Sequence, residues 1–296
     1  MPSLPSFDDL NRALDLNPTN ADIHLSTAGS DWLWAVFAVM LCSDLVFICW
    51  SFTRPRGQRV FHQLPIIILT TASIAYFSMA SDLGATPIQT EFNRHGGGTR
   101  QIWYARYIQW FITAPLVLLE LLLTTGLSLS DIVTAVFMIE VTVISGLLGA
   151  LTHSTYKWGY YVFGVASLFY VWWEFLGHGG RSTFTAPVRT TYLTGGGWLS
   201  FLLLLYPVCW GLSEGGNVIK VTSEMVFYGV LDLFAGPFFL FFHLWRLRSV
   251  DYAAFGLQSG KPTDYYRFSG DSMRATGAPV TGAPAATNGA TTTATA

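Results

Sequence analysis

Long apolar runs broken by short polar connections set the pattern of this chain. Seven runs, near 31–52, 64–83, 101–124, 131–151, 157–177, 194–213 and 223–245, are each long enough to cross about 30 Å of hydrocarbon as a helix. The predicted fold class is all-α, a seven-transmembrane helix bundle with no internal repeat. The first run opens with Gly29-Ser30-Asp31-Trp32, an N-cap followed by interfacial tryptophans. Three regions follow: 1–28 as an extracellular N-terminal segment, 29–248 as the membrane domain and 249–296 as a cytosolic tail. From about residue 270 the tail is mostly Ala, Thr, Gly and Pro, too poor in large apolar groups to fold, and is expected to be disordered.

Composition agrees with this pattern. Of 296 residues, 51% are hydrophobic and 11% charged, against about 25% charged in a soluble domain. So few charges cannot cover a water-facing surface, and the lipid bilayer is the implied environment. A net charge of −2 gives no footprint for nucleic acid. The three cysteines, Cys42, Cys49 and Cys209, lack paired or metal-type spacing and read as small core residues. The N-terminus has no basic stretch followed by an apolar run, so a cleavable signal peptide is not expected. Asn17-Pro18-Thr19 carries proline at the position that bars glycosylation.

Basic residues give an orientation. Arg54, Arg56 and Arg59 follow the first span, Arg181 and Arg189 the fifth, and Arg246 and Arg248 the seventh. The opposite side carries Arg12, Arg94, Arg100, Lys157 and Lys220. The positive-inside rule then puts the N-terminus outside and the C-terminus in the cytosol.

Charged groups at membrane depth are costly, and each is a candidate functional residue. Arg106, Gln109, Thr113 and Glu120 stand at offsets of 0, 3, 7 and 14 in the third span. At 100° per residue they fall within an arc of about 60°, a polar stripe roughly 21 Å long. Hydrogen bonding between helices would explain such a stripe structurally, but Arg and Glu are expensive for that purpose. Asp232 lies in the middle of the seventh span and needs a partner, for which Arg106 is the expected candidate. That pair would serve either to pin two helices or to carry transport. Glu214 and Glu224 are expected to border water as solvated carboxylates. Asp44 and Glu140 also fall within spans, and Asp44 has no obvious partner. No metal-ligand cluster, nucleophile with its base, or phosphate loop is recognisable, so an enzyme is not expected.

The run RYIQWFITAPLVLLE, residues 106–120, resembles the third helix of the microbial rhodopsins. The resemblance continues through SGLLGALTH, YPVCWGLSEGG (206–216) and EMVFYGVLDLFAGP (224–237). GSDWLWAV and IAYFSMASDLGATPI (74–88) look specifically fungal, and the whole covers about residues 29–248 in order. By position, the resemblance implies that Arg106 matches the arginine of the extracellular half-channel, and Asp232 the second member of the Schiff-base counterion pair. Glu120 matches the cytoplasmic proton donor of pumping members, and Glu214 with Glu224 the outer carboxylates of proton release. Tyr76, Trp110, Tyr206 and Trp210 match the retinal pocket and its surroundings.

Two departures stand against these matches. Members that bind retinal have a lysine one turn after the aspartate, and here that position is Gly236, followed by Pro237. A Schiff base needs a primary amine, and Lys157, Lys220 and Lys261 lie in loops, at span ends or beyond the spans. The second departure is Gln109, at the position of the primary counterion and proton acceptor; glutamine can neither neutralise a Schiff base nor take its proton. The two losses cohere, because without a buried cation a second carboxylate beside Asp232 would add only desolvation and repulsion.

The chain is thus similar to the lysine-less fungal opsin-related proteins, the branch of the yeast heat-shock membrane proteins. That resemblance implies a fungal plasma-membrane protein linked to stress, with effects on a proton-pumping ATPase and with oligomers as an analogy. No covalent cofactor is expected. Three functions remain open: a non-photochemical protein acting through partners, a binder of free retinal, a carotenoid fragment or a sterol in the vacated pocket, and a passive ion path. Phe234 is large enough to have closed that pocket, and Leu203 and Tyr161 show that its lining has changed.

Overall fold

A computed structural model describes residues 11–54, 59–94, 98–183, 186–248, 250 and 252–255. Among them, seven helices form the bundle: α1 (Thr27–Ser51), α2 (Val60–Ala80), α3 (Tyr104–Leu122), α4 (Leu129–Leu151), α5 (Lys157–Trp172), α6 (Ala186–Trp210) and α7 (Val221–Leu247). Six of the described helices are each long and apolar enough to cross a membrane. The seventh, α5, gains its length from a π-helical continuation over Trp173–Gly179. The expectation for the tail beyond residue 255 lies outside the described residues.

Local signals explain where these helices begin. Ser26 precedes α1 and its side chain accepts from the Gly29 amide, and Ser128 does the same for α4 through Asp131, which is the N-cap preference of serine. Ser26 also hydrogen-bonds Thr222 at 2.8 Å, so one cap fastens α1 to the start of α7. The two helices touch again where the Trp32 indole donates to the Met225 carbonyl at 3.2 Å. Gly229 permits that approach, since a Cβ there would meet Trp32 Nε1 at 2.6 Å.

Two boundaries depart from the sequence expectation. The third helix starts at Tyr104, not near 101, because Thr99–Ile102 is a strand (β2) paired antiparallel with Thr86–Gln89 (β1). This hairpin is too short to announce itself by alternation, and Ile23 joins it through a parallel bridge to Arg100. Gly84, at φ +86°, supplies the left-handed turn that leads into it. The sixth helix begins at Ala186 rather than near 194, so residues 186–193, expected to lie before the span, are helical. A helix inside the bilayer has to satisfy its own backbone, and this overrides weak propensity.

Residues that pack inward include Phe47, Phe61, Leu121 and Phe239, each buried completely. Leu45, Ile74 and Phe201 are more than half exposed, the surface a lipid-facing bundle requires. Cys42 and Cys49 lie on that outer surface, which corrects their reading as core residues; Cys209 is buried. The last helix is broken by a π-helical segment over Phe234–Phe238, where Gly236 leaves helical geometry at φ −92° and ψ −106°. Pro237 brings no N–H to the ladder, the usual cause of such a kink.

Candidate functional site

The four residues of the α3 stripe are all buried on one face of that helix: Arg106, Gln109, Thr113 and Glu120. They divide into three regions with different chemistry. Asp232 is at the centre, an ion-pair cluster lies toward the side where α3 and α7 begin, and Glu120 lies toward the other side.

Asp232 is 5% exposed and is held by residues of three other helices. Tyr76 Oη of α2 donates to it at 2.7 Å, Tyr206 Oη of α6 at 2.6 Å, and Trp110 Nε1 of α3 at 3.0 Å. Gln109 Nε2 adds a longer bond at 3.2 Å. Four neutral donors therefore surround the carboxyl, and the expected Arg106–Asp232 ion pair is absent. The cause is level: Arg106 lies in the first turn of α3 and reaches Glu224 in the first turn of α7, eight residues or about 12 Å before Asp232.

Glu224 accepts from Arg106 Nη1 at 2.6 Å and from Arg100 Nη2 at 2.6 Å. Glu214 lies 3.8 Å from the Arg106 guanidinium and accepts from Tyr107 Oη at 2.6 Å. Arg106 also stands over the Tyr228 ring, 4.3 Å from its centroid, and touches the Met225 sulfur. Glu214 and Glu224 are 4% and 0% exposed, so neither is the solvated carboxylate expected from sequence. Burial is affordable because each has a cation or phenol in contact.

Arg100 escaped the sequence reading except as a topological charge. It is 1% exposed, and besides Glu224 it donates to Asn217 Oδ1 at 2.7 Å and to the Ile219 carbonyl at 2.8 Å. It sits on β2, so helical spacing from Arg106 could not relate the two. Lys157 is buried in the same region, its Nζ donating to the Glu214 carbonyl at 3.2 Å.

On the far side, Glu120 is fully buried and neither carboxyl oxygen has a hydrogen-bond partner among the described residues. The same holds for both ring nitrogens of His243 on α7. Asp44 does have a partner, Thr70 Oγ1 at 2.8 Å, which corrects the reading of an unpartnered residue. Glu140 joins none of these groups, and no metal-binding group of His, Cys, Asp or Glu occurs among the described residues.

Above Asp232 lies a cavity of about 160 Å³. Trp110, Tyr206, Trp210 and Gly236 line it, as do Gln109 and Thr113. Tyr76 does not reach it and acts behind Asp232. Phe234 does not close it: the side chain is 41% exposed and points away from the bundle, while its carbonyl accepts from Trp198. A side chain at Gly236 would have room, because the nearest atoms to a Cβ there, of Met40, lie at 3.8 Å. No lysine is among the residues lining the cavity. Lys157 is engaged at Glu214, and Lys220 stands at the position just before the first turn of α7. The residues present therefore do not fit a Schiff-base-linked retinal, although the space beside Gly236 persists.

Comparison with known proteins agrees with this geometry. The chain is 64% identical over 269 residues to Protein FDD123 of Trametes versicolor, covering 90% of this chain and 94% of that one. It is 38% identical over 265 residues to the 30 kDa heat shock protein of Saccharomyces cerevisiae, covering 78% and 76%. Among solved structures, the light-driven proton pump rhodopsin of Coccomyxa subellipsoidea superposes with a TM-score of 0.73 at 34% identity, over 75% of this chain and 98% of that one. The profile of the family described as bacteriorhodopsin-like protein matches residues 27–249, and the chain belongs to that family.

Proposed function

We propose that this chain is a non-photochemical opsin-related membrane protein that acts through partners and not through a light-driven cycle. The observation that carries the reading is Gly236 in the wall of a cavity lined without any lysine. Gln109 supports it, since its amide serves Asp232 as a neutral donor and offers no base for a proton. The likeness to a fungal heat shock protein favours a stress-linked, regulatory role at the plasma membrane. In this reading the basic loops face the cytosol, and the partner is a membrane protein such as a proton-pumping ATPase or a second copy of the chain.

A second reading has an observation of its own, the surviving cavity. An engineered cavity of about 150 Å³ with apolar walls stays dry and takes up small apolar molecules, and the one beside Gly236 is about 160 Å³. It would hold free retinal or another apolar ligand without a covalent bond.

One titration of purified protein with all-trans retinal tests both. The expected result is no red-shifted visible band that hydroxylamine bleaches; such a band would overturn the non-photochemical reading. Saturable quenching of tryptophan fluorescence, with Trp110 and Trp210 in the cavity wall, is the outcome expected from non-covalent binding. Its absence would remove retinal as the ligand.

A further inference from the structure

Asp232 and Gln109 share a wall of the cavity beside Gly236, and the groups around them leave each with a deficit. Each oxygen of Asp232 receives two donors, Tyr206 and Trp110 on Oδ1, Tyr76 and Gln109 on Oδ2. An anion is solvated in this way, whereas a carboxyl that kept its proton would need an acceptor for it. All four donors are neutral, and none of the ion pairs among the described residues includes Asp232. Hydrogen bonds disperse a buried charge but do not balance it.

Gln109 has the second deficit. Its Nε2 is turned to Asp232, and its Oε1 is buried with no hydrogen-bond partner among the described residues. The amide cannot be turned over, because its oxygen would then face the carboxylate. A buried carbonyl without a donor is unfavourable by the desolvation of that oxygen. A hydroxyl in the cavity would serve Gln109 and leave the charge of Asp232 unbalanced. An ammonium serves both, with one N–H on Gln109 Oε1 and its charge beside the carboxylate. The 3.2 Å bond from Gln109 Nε2 is the longest of the four on Asp232 and the first to yield to it.

Among the described residues, no arginine or lysine lines the cavity. Arg106 is committed to Glu224 and Lys157 to the Glu214 carbonyl, so the cation has to come from outside the chain. A bare inorganic ion would shed its water against walls such as Val117, Leu118 and Leu203, which offer nothing in exchange. The cation must therefore bring an apolar body of its own. On α3 the lining runs from Gln109 through Thr113 to Val117, about 12 Å of helix along which that body can lie. An apolar cavity of about 150 Å³ takes up benzene, and this one, at about 160 Å³, has room for a body of similar size. Trp110 and Tyr206 stand nearly at right angles with centroids 5.2 Å apart, and such rings accept a cation on their faces. We propose that the cavity beside Gly236 binds a small lipophilic ammonium, its charge held between Asp232 and Gln109. The proposal rests on the reading of this cavity as a ligand site and names the chemistry of the ligand.

The test is equilibrium dialysis of radiolabelled phenethylamine and of phenethyl alcohol, which share a shape and differ in charge. Each is dialysed against the full chain in phosphatidylcholine nanodiscs, with protein-free nanodiscs as the blank. The amine is expected to saturate a single site and to bind about tenfold more tightly than the alcohol. Asp232→Asn is expected to bring the amine down to the level of the alcohol, while continued binding of the alcohol shows that the variant keeps its cavity. Equal binding of the two by the parent would overturn the proposal and leave the cavity a ligand site. Binding of neither would overturn it as well, and the retinal titration then decides separately whether the cavity takes a ligand. A preference for the amine that survives Asp232→Asn would also overturn it, by giving the charge to another carboxylate. The comparison of amine with alcohol leaves the protein unchanged, so it decides the matter even where the variant folds poorly.

Discussion

Arg100 and Arg106 meet on one carboxylate, and the consequences of that arrangement differ from those of a single ion pair. Glu224 holds a charge-assisted bond of 2.6 Å from each, while Glu214 depends on Tyr107 and a longer contact of 3.8 Å. Removing one partner from a buried pair strands the other, at a cost of about 3–5 kcal/mol. Arg100→Ala is therefore expected to lower stability by about that amount, less whatever Arg106 recovers. Arg94→Ala, at an exposed position beside the same hairpin, is expected to stay within about 0.5 kcal/mol of the parent. Thermal unfolding in detergent compares the two, and equal melting temperatures would refute the role given to Arg100. The stripe Arg106–Gln109–Thr113–Glu120 was legible in sequence because a helix repeats every 100° whatever it packs against. The partners were not legible. Spacing along one helix gives a face, whereas the choice of Glu224 over Asp232 depends on how α3 and α7 are staggered.

Among the elements, the hairpin β1–β2 does more than connect α2 to α3. It carries Arg100 into the bundle, and Asp22 fastens its second strand from outside. The Asp22 carboxylate accepts from the Gly98 and Thr99 amides at 2.9 and 2.8 Å and from the Thr99 hydroxyl at 2.9 Å. These bonds hold its carboxyl below the usual carboxylate range, the Thr99 amide contributing most. A carboxyl held low in the folded state stabilises it above the ordinary value near 4, and that contribution is lost as pH falls through the folded value. Amide exchange of the strand is expected to accelerate on acidification in the parent and to lose that dependence in Asp22→Ala. An unchanged pH profile in the variant would show that Asp22 is not the fastening. Four-residue strands and a carboxylate working from outside any helix leave no periodic trace, and this explains why the hairpin and the segment that fastens it had no structure in the sequence reading.

At the scale of the molecule, the seven spans were legible without knowledge of any relative, because a chain in lipid must bury its backbone in helices and cover them with apolar side chains. The vacated attachment point was legible only through resemblance, and the survival of the space beside it required a structure. Gly236 lies at a kink with room for a side chain, and the cavity next to it keeps Trp110, Tyr206 and Trp210 in its wall. The scaffold thus outlasts the chemistry. Gly236→Lys is expected to restore an amine to that wall and to form a retinal adduct with a visible band bleached by hydroxylamine. Asp232 alone would serve as its counterion, since Gln109 cannot. Absence of the band in a folded variant would mean that the space no longer has the shape of the chromophore.

The cluster of Arg100, Arg106, Glu214 and Glu224 also bears on the membrane potential. With both carboxyls ionised, its two arginines and two glutamates balance. Moving one elementary charge across 100 mV is worth about 2.3 kcal/mol, but a neutral group that shifts as a unit does no such electrical work. With both carboxyls ionised, these four groups moving together would therefore do none, whereas Lys157 beside the Glu214 carbonyl would.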